Sequence, residues 1–157
     1  MIIGFNHTSF TVANLNSAVQ FWTEGLGFRA TSVSERTGAW QGQVTGIPGA
    51  QLRIAHLAGY GHHMEFIEYL EASDNSVTLQ PNSAGVAHVC LEVEDIEDTI
   101  NTLAAMGATT QGKLIEVDSG PFRGCRAIYM RDPNGVIIEL EEIPKKVNGE
   151  RYEGNSA

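Results

Sequence analysis

The feature that most constrains this chain is an internal repeat. A displacement of 81 residues carries His7 onto His88, Val12 onto Val93, Leu15 onto Ile96, Val19 onto Ile100 and Trp22 onto Leu103. Further along, a displacement of 74 carries Glu65 onto Glu139, Glu68 onto Glu142 and Ala58-Gly59-Tyr60-Gly61 onto Asp132-Pro133-Asn134-Gly135. The change between the two displacements needs one length difference in the middle loops, where insertions are tolerated. Each half predicts strand–helix–strand–strand–strand. Such a half cannot bury both its helix stripe and its sheet face alone, so two halves must pair.

Within the first half, residues 2–12 alternate as a strand and Asn14 caps a helix over about 15–25. Leu15, Ala18, Val19 and Trp22 form its buried stripe, and Gly25 and Gly27 stop it. Phe28 to about Arg36 predicts a strand, and Trp40 to Val44 a short one. TGIPGA (45–50) predicts a loop, and 51–57 with 63–70 a hairpin around AGYG. The polar stretch 72–85 predicts a linker between modules at about 1–71 and 86–143. In the second half, residues 86–93 predict a strand, Asp95 caps a helix over about 96–106 ended by Gly107, strands follow near 110–118 and 123–131, and DPNG turns the chain into a last strand at 136–143. The tail 144–157 is polar and without periodicity, and predicts no structure of its own.

Strand parity then separates four residues from the core. His88 lies opposite the apolar face Ala87, Val89, Leu91 and Val93. Glu139 lies opposite Val136, Ile138 and Leu140. Glu65 lies opposite Met64 and Phe66, sharing its face with His63. His7 occupies the repeat position of His88. Taken singly, each is an ordinary half-exposed polar residue. Two histidines and two glutamates at repeat-related positions, all turned away from the helix-packing faces, point instead to a metal site. Sheets that curve toward each other can bring the four together.

The motifs H-x-x-F-x-V-x-x-L at 7–15, LGF at 26–28, the Glu-bearing strand at 64–69, H-V-x-x-x-V at 88–93 and DPNG followed by I-E-L at 132–140 make the chain resemble the vicinal oxygen chelate superfamily over about residues 3–143. That superfamily includes glyoxalase I, methylmalonyl-CoA epimerase, fosfomycin-resistance proteins, extradiol dioxygenases and bleomycin-binding proteins. The resemblance implies an α+β fold in which two paired βαβββ modules form a U-shaped, barrel-like mixed sheet around a metal, with His7, Glu65, His88 and Glu139 as ligands. It implies one divalent metal per site, drawn from Fe, Mn, Ni, Co or Zn, and a small-molecule substrate with neighbouring oxygens. The expected reaction is of the lyase, isomerase or epimerase kind and passes through an enolate or similar oxyanion. Glu65 or Glu139 is the proton-moving group, and His63 can line the pocket. Tyr129 stands ten residues before Glu139, the spacing of the catalytic tyrosine in extradiol dioxygenases, so Fe(II)-dependent ring cleavage is the alternative. A non-catalytic antibiotic-binding protein is a third reading. Two features set the chain apart within the superfamily. Thr11 stands where bacterial glyoxalase I of this type has arginine, and Glu65 stands where methylmalonyl-CoA epimerases have glutamine.

The remaining side chains carry weaker signals. Cys90 shares the His88 face and predicts a pocket wall rather than a nucleophile. Trp40, Phe122 and Arg123 fall in rim loops as candidate substrate contacts, His62 is expected exposed, and His56 is given no role. The net charge of −9 argues against nucleic acid or an anionic membrane as partner. No run approaches the roughly 18 apolar residues of a membrane span. Two cysteines, no leader pattern and the architecture together predict a cytoplasmic homodimer.

Overall fold

A computed structural model describes residues 1–71 and 78–144. The chain divides into two units, Met1–Thr78 with Pro133–Val136, and Leu79–Asp132 with the segment from Ile137 onward. Among the described residues the strands form a four-stranded sheet and a five-stranded sheet.

The first unit runs β1 (Thr8–Thr11), α1 (Leu15–Gln20), β2 (Arg29–Arg36), α2 (Trp40–Thr45), β3 (Leu52–Gly59) and β4 (His62–Tyr69), with sheet order β1-β4-β3-β2. Asn14 caps α1 by accepting from the Ser17 N–H at 2.9 Å. The helix continues as a π-helical turn over Phe21–Gly25, where the Thr23 hydroxyl donates back to the Val19 carbonyl at 2.7 Å. The predicted stripe is buried as Leu15, Ala18 and Trp22, and the core closes around a ring cluster. Trp22 lies 5.0 Å from Phe66, 5.3 Å from Phe28 and 6.4 Å from Phe10, all centroid to centroid. At the hairpin tip, Tyr60 adopts φ 52° and Gly61 φ 78°. This left-handed pair matches the strand twist. The Tyr60 hydroxyl donates to the Leu26 carbonyl at 2.9 Å, which anchors the tip to the helix exit.

The second unit runs β5 (His88–Glu92), α3 (Ile96–Ala105), β6 (Thr109–Thr110), β7 (Ile115–Glu116), β8 (Arg126–Arg131) and β9 (Ile137–Glu142). Its sheet order is β5-β9-β8-β6, with β7 also pairing β8. Ile96, Leu103, Ile128, Met130, Ile138 and Leu140 form its core. Asp95 caps α3 by accepting from the Asp98 N–H at 2.9 Å. Asp95→Ala is expected to lower stability by about 1 kcal/mol, read as a shifted urea midpoint with unchanged slope.

Four expectations change. Residues 40–45 form a helix, not a strand: Gly46 takes φ 71° as its C-terminal stop, with Pro48 just beyond. The first strand begins at Thr8 rather than residue 2. Thr8 pairs with Met64 in parallel, and β4 starts at His62, level with Asn6, so residues 2–5 have no strand beside them to bond. The stretch 110–118 is broken into two two-residue strands by a bend at Gln111-Gly112. The 123–131 strand starts only at Arg126, after turns through Gly120 and Gly124. The expectation for the tail falls, past Pro144, outside the described residues, as does that for the linker at 72–77.

Candidate metal centre

In the first unit, β4 lies between β1 and β3, and this places Glu65. It stands opposite Ser9 on one side and His56 on the other. Met64 and Phe66 turn into the ring cluster, so the carboxylate takes the other face, where it is 12% exposed. His7 Nε2 is 3.3 Å from Glu65 Oε1, and His56 Nε2 is 3.6 Å from Glu65 Oε2. The two imidazoles therefore flank one carboxylate, one on each oxygen, with ring centroids 6.1 Å apart at 73°. Leu52, Ile54, Ile67 and Tyr69 pack as an apolar cluster on the same sheet face.

The His7 tautomer is set from outside this pair. Asn6 Oδ1 lies 2.7 Å from His7 Nδ1 and accepts its proton. Nε2 is then the ring nitrogen turned toward a carboxylate oxygen, and a separation of 3.3 Å leaves room for a cation or a proton shared between the two atoms.

The second unit repeats the arrangement. Tyr129 and Cys90 stand opposite Glu139 from β8 and β5. His88 Nε2 is 3.0 Å from Glu139 Oε2, and the Tyr129 hydroxyl is 3.4 Å from the same nitrogen. Burial first, and then the Glu139 charge, raise the Tyr129 phenol above its ordinary value, so it keeps its proton at neutral pH. Cys90, Glu139 and Glu141 present donor atoms within 4.8 Å of one another. Desolvation, followed by Glu141 and Glu139, pushes the Cys90 thiol up to about 12. The residue is thus a neutral thiol rather than a nucleophile, as its sequence position predicts.

The donor chemistry fits a divalent ion. Ligand atoms about 2.1 Å from one ion and at right angles lie about 3 Å apart. The His7–Glu65 and His88–Glu139 separations of 3.3 and 3.0 Å match that spacing. Imidazole and carboxylate together suit first-row divalent metals.

Each predicted ligand pair is thus assembled within its own unit, and Tyr129 joins the second. His63 is exposed at the start of β4, two residues before Glu65 on the same side of the strand. The reading of the sequence missed His56. The signal was available in the hairpin: the two-residue turn at Tyr60-Gly61 sets a register that pairs His56 with Glu65.

Residues 4–140 match the family model described as Glyoxalase/Bleomycin resistance protein/Dioxygenase superfamily. The chain is 31% identical over 148 residues to a 2-epi-5-epi-valiolone epimerase of an Actinomyces species, covering 90% of this chain and 80% of that protein. It is 23% identical to a probable lactoylglutathione lyase of Vibrio cholerae, over 85% and 86% of the two chains. The crystal structure of a glyoxalase family protein from Bacillus cereus superposes with a TM-score of 0.77 at 26% identity, covering 91% of this chain and 95% of that one. Two repeat-related units, each joining a histidine to a glutamate on the face away from its helix, are thus accompanied by a match along nearly the whole sequence, and the chain belongs to the Glyoxalase/Bleomycin resistance protein/Dioxygenase superfamily, whose members among its relatives include epimerases and lyases.

Proposed function

We propose that the protein is a divalent-metal-dependent enzyme that moves a proton at a carbon beside two neighbouring oxygens of a small substrate, with epimerisation as the first reaction to test. His7 and Glu65 of the first unit and His88 and Glu139 of the second are the proposed ligand set. The observation that carries this reading is the 3.3 Å approach of His7 Nε2 to Glu65 Oε1, with the His88–Glu139 pair at 3.0 Å in the repeat position.

The ion, when bound, acts as a Lewis acid that stabilises negative charge developing on the substrate oxygens. Everything else is done by the chain itself. The two imidazoles donate Nε2 lone pairs. Glu139 has a second oxygen with which to take up and return a proton. Leu52, Ile54, Ile67 and Tyr69 offer an apolar wall on the Glu65 face.

The relative at 31% identity supports epimerisation, and 2-epi-5-epi-valiolone is the first compound to test. Metal-loaded protein incubated with it in deuterium oxide, alongside α-hydroxyketones and acyl thioesters, is expected to exchange a carbon-bound proton for deuterium, read by NMR. Protein purified without stoichiometric metal, and unable to take any up, would defeat the proposal.

Tyr129 favours a second reading. Its protonated hydroxyl stands 3.4 Å from His88 and opposite Glu139, where it can donate to a catechol-like substrate. Oxygen uptake by Fe(II)-loaded protein with catechols, without proton exchange in the first assay, would select ring cleavage. We place either activity in a homodimer, which light scattering of the purified protein checks.

A further inference from the structure

The two hairpins are out of step by one residue between sequence and structure. The constant displacement of 74 that carries Glu65 onto Glu139 would carry His56 onto Met130. The strand pairing says otherwise. His56 is the residue opposite Glu65, and Tyr129 is the residue opposite Glu139. His56 is therefore the first-unit counterpart of Tyr129. Each unit has the same three-part arrangement: a histidine at or immediately before the start of the first strand, a carboxylate on the last strand, and a ring with a polar atom across the hairpin from that carboxylate.

From this we infer that His56 is a positioning residue for Glu65, an inference that rests on the proposed metal-binding role of Glu65. The geometry divides the labour between the carboxylate oxygens. Oε1 faces His7 Nε2 at 3.3 Å, the spacing of neighbouring ligands on one ion, and Oε2 faces His56 Nε2 at 3.6 Å. That second separation is a few tenths of an ångström outside direct hydrogen-bond range, which a small turn of the carboxylate closes. His56 with its proton on Nε2 then holds Oε2, fixes the carboxylate plane and leaves Oε1 to the ion. Partners behind a metal ligand commonly change metal affinity by about 10- to 100-fold.

The side chain of His56 is 37% exposed, so its replacement leaves the buried core of the unit untouched. The test is a Co(II) titration of the full-length protein, followed by the visible absorption bands of the bound ion. His56→Ala is expected to weaken Co(II) binding by about 10- to 100-fold and to change the bands. His56→Gln, whose amide N–H reaches the place of Nε2–H, is expected to restore both. Thermal unfolding of the metal-free variants should match the wild type. An unchanged affinity and spectrum in His56→Ala would overturn the inference, and so would a His56→Gln variant as impaired as His56→Ala. A wild-type protein that takes up no Co(II) would instead overturn the metal reading on which the inference stands.

Discussion

Glu139→Gln is expected to weaken divalent-metal binding by at least about 100-fold, more than loss of a partner behind a ligand does, while the metal-free fold stays intact. The carboxylate lies 3.0 Å from His88 Nε2 and faces away from Ile138 and Leu140, which are fully buried. Gln preserves the shape and one oxygen but removes the negative charge that stabilises a bound cation. The change also relieves repulsion, because Glu141 shares the face and presents its carboxylate to the same thiol. The stability of the metal-free protein should therefore move by no more than about 1 kcal/mol. Isothermal titration with Mn(II) and thermal unfolding in chelator measure the two halves of the statement. An unchanged dissociation constant would remove Glu139 from the ligand set.

The largest loss of stability is expected from Trp22→Ala, about 3–5 kcal/mol. Trp22 is fully buried, with Phe66, Phe28 and Phe10 around it at 5.0, 5.3 and 6.4 Å. Alanine leaves a cavity that the three facing aromatic rings cannot collapse to fill. Small domains are held by only about 5–15 kcal/mol in all, so the variant should unfold at much lower denaturant. Chemical denaturation measures this, and a loss below about 1 kcal/mol would contradict the packing described around the ring.

Much of the fold was legible because the repeat, the two helix caps and strand parity all act through local chemistry. Asn14 and Asp95 cap as their side chains predict. Met64 and Phe66 bury on one face of β4, while Glu65 takes the other. The misreadings have separate physical causes. At 40–45, the aromatic and β-branched residues suggested a strand, but the Gly46 and Pro48 stop decides for a helix. At the N-terminus, alternation continues through residues 2–7, yet a strand needs a partner, and β4 begins only at His62, level with Asn6, so residues 2–5 have none. His56 was overlooked because sequence displacement does not give hairpin register. The first hairpin turns in two residues, so the true counterpart of His56 is Tyr129 rather than Met130. Four of the proposed site residues, His7, Glu65, His88 and Glu139, were singled out by repeat spacing, strand parity and the family resemblance together, whereas the pairing of His56 with Glu65 required the hairpin register.

In each unit the first and last strands lie side by side and parallel, β1 with β4 and β5 with β9. Parallel neighbours cannot be joined by a tight turn, so each pairing closes a long loop of chain. During synthesis the N-terminal strand must therefore wait, with Phe10 unshielded, until residue 69 has left the ribosome. The wait is longer still for the whole first unit, which includes Pro133–Val136 and in which the Asn14 N–H donates to Asn134 Oδ1 at 2.9 Å. The order in which the ribosome delivers the residues thus runs against the order in which the first unit can be finished. Chains cut short before β4 are therefore expected to expose Phe10 and to aggregate more readily than the full chain.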